Sequence, residues 1–306
     1  MQKLFYLVLL VLLPLIFCVN NRPVIGILTE PNSHALDPLK GQYIAASYVK
    51  WIESSGGRAY PIKYDSTETE ILDILSHVNG VLFPGGGVDL NEDPFKATIE
   101  TIYNEVIKKN KEGTYFPLWG TCLGFEILSV LASENPDLLS QVDAENLPLP
   151  LAKTQGWGDS RLMSGLTSEL EQILTTENVT FNNHRYGVST ESFMNSPKLD
   201  SFMRMISWNK GRKGNKFVSS FEGYQYPIYG VQFHPEKNLF EWGDEDIPHY
   251  YNAILITQYF GNFLVNEARK NNQHFENEST NNTMYKICPT YTEEEGFEQS
   301  YIWQYN

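Results

Sequence analysis

The chain has 306 residues but only three cysteines, six histidines and 23 basic side chains against 37 acidic ones. Each shortage excludes something. The cysteines form no paired spacing and the histidines are scattered without ligand-like intervals, so no metal site is expected. A net charge of −14 leaves no basic face of the kind that phosphates require, which argues against a nucleic-acid partner. No Gly-Lys-Ser/Thr follows the glycine run Gly85-Gly86-Gly87, so a phosphate cradle is disfavoured. No Gly/Ser/Pro-rich linker and no internal repeat interrupts the interior, and 42% hydrophobic content can fill one sizeable core. The reading is therefore one domain, 21–271, with a polar extension, 272–306, that packs on it through Tyr301, Ile302 and Trp303.

Long apolar runs are also missing. Leu4 to Phe17 falls short of the roughly 20 residues that a membrane span needs. Preceded by Lys3, it reads as a secretory signal peptide over 1–20, cut between Cys18 and Asn20, and leaves no stable membrane anchor. A secreted chain makes Asn178, Asn277 and Asn281 candidate glycosylation acceptors, each followed two residues on by Ser or Thr. The destination is a lysosome, a vacuole or the exterior.

What is present is chemical. Gly120-Thr121-Cys122-Leu123-Gly124 follows the apolar run Tyr115 to Trp119 and precedes the helix-like stretch Phe125 to Ala132. A cysteine between glycines at a strand-to-helix junction forms a nucleophile elbow, because so tight a turn cannot carry side chains on both flanks. The helix N-terminus behind Cys122 should favour its thiolate. Far downstream, the strand-like Pro227 to Phe233 ends at His234-Pro235-Glu236. His234 can serve as a base at the strand end, and Glu236 can hold one imidazole tautomer. A disulfide would disarm Cys122, so Cys122 and Cys288 are expected to be unpaired, with Cys288 buried or joined to another chain.

The coarse order is that of an α/β protein with a mostly parallel central sheet flanked by helices. Strands are expected at Pro23 to Thr29 and Gly80 to Phe83. A helix should carry Ile44, Tyr48, Val49 and Ile52 on one face, and another should span Glu100 to Lys109. Lys216 to Phe221 and Pro227 to Phe233 form a hairpin, and Tyr250 to Lys270 forms the closing helix. In such sheets the site gathers at the C-terminal ends of the strands, where the Gly85 loop, Cys122 and His234 can meet.

These motifs, in this order, resemble the class I glutamine amidotransferase superfamily, which has a flavodoxin-like fold. Three longer stretches are similar to the gamma-glutamyl hydrolase family: Leu82 to Leu90, Trp119 to Glu126, and Glu222 to Trp242. The resemblance implies a cysteine peptidase without a cofactor that cleaves folate poly-gamma-glutamates and other gamma-glutamyl peptides through a thioester, and it favours a homodimer. It implies Cys122 as nucleophile, His234 as base and Glu236 as its orienting group. The oxyanion donors would be the N–H groups of Gly86 and Leu123, with Glu126 and His184 at the substrate. Glu126 stands where amidotransferases carry glutamine, a departure from ordinary glutaminase chemistry. Lys153, Arg161 and Arg185 are candidates for binding the substrate carboxylates. Two alternatives stay open: a glutaminase subunit feeding a synthase, and a non-catalytic secreted glycoprotein on the same scaffold.

Overall fold

The computed structural model describes residues 19–32, 40–277, 284–292 and 297–305; the leader through residue 18 and the Asn281 sequon lie outside them. In chain order the first half comprises β1 (Val24–Leu28), β2 (Glu30–Pro31), β3 (Gly41–Ala45), α1 (Ala46–Ser54), β4 (Arg58–Ile62), α2 (Glu68–Leu75), β5 (Gly80–Phe83), α3 (Phe95–Lys111), β6 (Leu118–Thr121) and α4 (Leu123–Ser133). The second half comprises β7 (Ser140–Leu149), β8 (Ala152–Lys153), α5 (Ser168–Thr176), β9 (Thr180–Gly187), α6 (Thr190–Met194), α7 (Pro197–Phe202), β10 (Met203–Lys210), β11 (Lys216–Gly223), β12 (Ile228–Val231), α8 (Lys237–Phe240), α9 (Tyr251–Ala268), β13 (Thr290–Tyr291) and β14 (Gln299–Gln304).

The central sheet has eight strands in the order β4-β1-β5-β6-β12-β11-β10-β8. Its first five run parallel, and the last three join antiparallel through the hairpin β11–β12. Period-two alternation covers both faces of the parallel part. Leu82 and Trp119 face α1 and α9, where Trp119 packs on Trp51, Phe260 and Phe263. Their neighbours Val81, Phe83 and Leu118 face the opposite way, toward α3 and α4. Both faces are thus dry, and the sheet edge at the C-terminal ends of β5, β6 and β12 is left for chemistry.

Two smaller sheets frame that edge. β7 and β9 form an antiparallel ribbon. β13, β14, β3 and β2 form the other sheet, in which the tail strand β14 pairs with β3 from Ser300↔Ala45 to Gln304↔Gly41. Ile44 therefore lies in a strand rather than on the expected helix face, because β3 finds its partner in the distant tail; the helix begins at Ala46. Asn178 and Asn277 are exposed. Cys122 and Cys288 are both unpaired, and Cys288 is exposed, which excludes the first of its two expected states, burial.

Candidate active site

β6 delivers Cys122 directly to the start of α4, as its N-cap, with φ +50 and ψ −105. Such a conformation is unusual for a residue with a side chain and has to be held by its surroundings. The Cys122 N–H donates to the Val231 carbonyl at 2.9 Å, tying the elbow to β12, and the Gly124 N–H donates to the Pro84 carbonyl at 2.9 Å, tying it to β5. A Cβ on Gly124 would lie 2.0 Å from the Phe83 carbonyl oxygen, and one on Gly120 would lie 2.4 Å from the Gly124 oxygen. The flanking glycines are therefore demanded by close backbone approach.

His234 stands three positions past the end of β12, where its N–H donates to the Phe181 carbonyl of β9 at 2.8 Å. Its Nδ1 is 2.8 Å from Glu236 Oε1. A carboxylate only accepts, so Nδ1 carries the proton and Nε2 is the free base. The Tyr48 hydroxyl of α1 accepts from the Gly85 N–H at 2.7 Å and lies 3.4 Å from His234 Nδ1. The convergence is seen above Gly85, where an added Cβ would meet His234 Cε1 at 2.6 Å, the Tyr48 hydroxyl at 2.9 Å and Cys122 Cβ at 3.0 Å. The glycine loop, the thiol and the imidazole thus share one small space.

That space opens into a cleft of ≈ 500 Å³. Of the residues singled out by sequence, Gly86, Cys122, Leu123, Glu126, His184 and Arg185 line it together with His234. Glu236 is fully buried behind His234. Lys153 and Arg161 do not reach the cleft. Lys153 pairs with Glu171, and Arg161 spends its guanidinium on the Gly223 and Tyr226 carbonyls. Lys237, buried at the head of α8, lines the cleft instead, as does Phe297 from the tail.

Burial sets the electrostatics. It pushes the Cys122 thiol up, helped by the charges of Glu126 and Glu236 and opposed by Lys237 and by the Leu123 N–H, which points at the sulfur. The expected thiolate is therefore not the resting form: desolvation outweighs the helix N-terminus. Burial also lowers His234, against the pull of Glu236, so the resting pair is a neutral thiol and a neutral imidazole. Glu126 is raised to about 8 by burial, although Gln232 Nε2 donates to its Oε1 at 3.1 Å. His184 is lowered to about 3 by burial; its Nδ1–H donates to the Tyr186 carbonyl at 2.7 Å and its ring meets Phe217 edge-on. Around the buried sulfur, a neutral imidazole backed by Glu236 and the Lys237 ammonium are thus the groups that act on its proton. Such a site suits covalent attack on an amide with the proton leaving sulfur as the bond forms.

Sequence reasoning assigned no role to Tyr48, Gln232 or Lys237. Tyr48 reads as one more residue of an apolar helix face, yet a buried tyrosine hydroxyl needs a partner, and that need was the available signal. Gln232 and Lys237 lie within the quoted stretch around His234, where nothing in their spacing marks a function.

Residues 23–236 match the family Peptidase C26. The chain is 40% identical to gamma-glutamyl hydrolase B of Dictyostelium discoideum over 99% of its own length and 90% of that protein. It is 41% identical to human gamma-glutamyl hydrolase over 92% of its length and 90% of the relative. It is 37% identical to gamma-glutamyl hydrolase 1 of Arabidopsis thaliana, covering 92% of this chain and 83% of that one. Among solved structures, the glutaminase domain of Trypanosoma brucei CTPS superposes with a TM-score of 0.51 at 14% identity, covering 85% of this chain and 99% of that domain, a likeness of fold. With a family match across its sheet and elbow and full-length relatives near 40% identity, the chain belongs to peptidase C26, the family of the gamma-glutamyl hydrolases.

Proposed function

We propose that the protein hydrolyses gamma-glutamyl amide bonds, with folate poly-gamma-glutamates as its substrate class, through a thioester on Cys122. The observation that carries this reading is the meeting of the Cys122 elbow and the His234–Glu236 pair over Gly85. Cys122 Sγ attacks the γ-carbonyl carbon while its proton passes to His234 Nε2. The carbonyl oxygen takes the negative charge and is received by the N–H groups of Gly86 and Leu123. Collapse breaks the C–N bond, and the amine leaves with the proton from His234. Water then gives a proton to His234 and attacks the thioester carbon; the acid is released and the thiol restored. Glu236 stabilises the imidazolium in both halves.

Substrate recognition follows from the lining. Glu126 faces Cys122 from the first turn of α4, where an α-ammonium would draw it into its charged form. His184 lines the same cleft with a neutral ring. Lys237 and Arg185 are the cations of the cleft suited to glutamyl carboxylates. Arg185 holds Glu145 in an exposed pair that a substrate carboxylate can displace at little cost. The signal-like leader and the sequons fit a working place in an acidic secretory compartment.

The test is incubation of the purified protein and of Cys122→Ala with a pteroylpolyglutamate at mildly acid and neutral pH, with product lengths followed by chromatography. Shortened chains from the wild type alone are expected. An intact substrate alongside ammonia released from glutamine would replace the proposal with a glutaminase, and silence in both assays would leave a binding protein.

A further inference from the structure

One buried acid in this region has no part in the chemistry above. Glu30 opens the short strand β2, two residues past the end of β1, and is 2% exposed. Its carboxyl occupies the place where a side chain of Gly86 would grow: a Cβ built there would lie 1.6 Å from Glu30 Oε2 and 2.2 Å from Cδ. Oε2 accepts from the Tyr43 hydroxyl at 3.3 Å, and the Gly87 N–H also donates to the carboxyl. Oε1 has no partner among the described residues, and no ion pair reaches this side chain there. A carboxylate so enclosed would lack the cation that burial of a charge demands.

We propose that Glu30, in its protonated form, is a positioning residue that seats the Gly86–Gly87 loop for oxyanion binding, and that its ionisation disables the site. The inference rests on the hydrolase reading given above. The loop has to present the Gly86 N–H to a developing negative charge. A neutral carboxyl behind it fills the space and holds Gly87. A carboxylate in the same place adds a second negative charge next to the oxyanion, within a dry pocket where such repulsion is strong. The surroundings favour the neutral form: burial raises the Glu30 carboxyl to about 8, against the pull of the Tyr43 and Gly87 donors.

The groups that could titrate with it are few. Tyr43 on β3 bonds it, and Tyr48 on α1, which bonds Gly85, lies near enough to feel its charge. Across the loop lie Cys122 and Glu126 of α4, and His234, Glu236 and Lys237 beyond β12. Burial raises Glu126 to about 8 as well; in the hydrolase reading the substrate engages it, so its effect falls on kcat/KM. The fall of kcat on the alkaline side, which reports the substrate complex, isolates Glu30.

The experiment measures kcat and KM from pH 5 to 9 on a poly-gamma-glutamate for the wild type, Glu30→Gln and Glu30→Ala. Glu30→Gln keeps the shape without the charge and should hold kcat within about twofold at pH 5.5 while moving the alkaline fall up by about one pH unit or more. Glu30→Ala should lose about tenfold or more in kcat with KM within about threefold. A glutamine variant as slow as the alanine one, or an alkaline fall identical to that of the wild type, would overturn the proposal. Infrared difference spectra of wild type against Glu30→Gln give a readout independent of turnover. A protonated-carboxyl band present at pH 6 and lost near pH 8 supports the assignment even if the substrate proves to be wrong, and its absence refutes it.

Discussion

Two groups of buried carboxyls divide this protein. At the opposite end of the strands, where β12 begins, Glu222 receives hydrogen bonds on both oxygens. Ser160 Oγ and the Leu162 N–H reach Oε2 at 3.1 and 3.0 Å, the Arg161 N–H reaches Oε1 at 3.1 Å, and Arg204 lies 3.5 Å from Oε1. Glu267 is equally well supplied, by the hydroxyls of Tyr115 and Tyr229 and by Lys270. Around the cleft the pattern reverses. Glu30 Oε1 and Glu236 Oε2 are buried without a partner among the described residues, and Glu126 has a single amide donor. The first group closes loops and is satisfied, so its role ends with the fold. The second is left short of donors beside a buried thiol, which is where an enzyme places groups that have to exchange partners or protons during turnover.

The contrast predicts opposite phenotypes. Removing the satisfied group should cost stability and spare chemistry. Glu222→Ala removes the counter-charge of Arg161 and Arg204, which keep their carbonyl partners, and frees the N–H groups of residues 161 and 162. Breaking a buried pair costs about 3–5 kcal/mol, but the two arginine side chains are 38% and 23% exposed, which lowers the expectation. A loss of about 3 kcal/mol should appear as a lower urea midpoint at unchanged slope, with kcat within about twofold while the protein stays folded. An unchanged midpoint would mean that the network is ornamental, and lost turnover in a stable variant would place Glu222 in the site after all.

Removing a charge from the unsatisfied group should do the reverse. Glu236→Gln keeps the shape beside His234 but can no longer stabilise the imidazolium. We expect kcat to drop by about tenfold or more, or at least about 1.4 kcal/mol of transition-state stabilisation, with KM nearly constant and the thermal midpoint unchanged or raised. Should this variant melt earlier while turning over normally, Glu236 would belong with Glu222.

The same division explains what could be read from the chain beforehand. Gly80 to Phe83 was legible to the residue, because a short apolar run bounded by turn residues has one reading in an alternating α/β pattern. The closing helix, expected from Tyr250 to Lys270, spans Tyr251–Ala268. Ile44 was misplaced because its four-residue interval from Tyr48 mimics a helix face, while its pairing with Tyr301 depends on a polar tail whose strand carries no strong signal of its own. Cys122, His234 and Glu236 stood out because local backbone demands, two glycines and a strand end, accompany them. Glu30 and Tyr48 were silent. Their environment is made by loops brought together from three separate strands and a helix, and no local pattern records it.

Three buried carboxyls, Glu30, Glu126 and Glu241, hold their protons more tightly than an exposed acid does, so they should leave a mark on stability as pH changes. Glu30 and Glu126 are each raised from an ordinary 4.5 to about 8, and Glu241 to about 6, all chiefly by burial. The unfolded chain gives up these protons near 4.5 while the folded chain keeps them, so stability falls as pH rises from about 4.5 through 8. His184, lowered from 6.5 to about 3, and His234, lowered by burial, act in the other direction: unfolding takes up their protons below 6.5, so stability also falls on the acid side. The crest should therefore stand between about pH 5 and 6, with a thermal midpoint at pH 5.5 above that at pH 8.5 by roughly 2 °C or more, equivalent to about 1 kcal/mol. Glu126→Gln sharpens the test. It removes one of the two largest contributions, so the decline from pH 5.5 to 8.5 should become shallower. A flat wild-type profile, or equal slopes in the wild type and Glu126→Gln, would show that Glu30 and Glu126 are ionised throughout this range despite their burial.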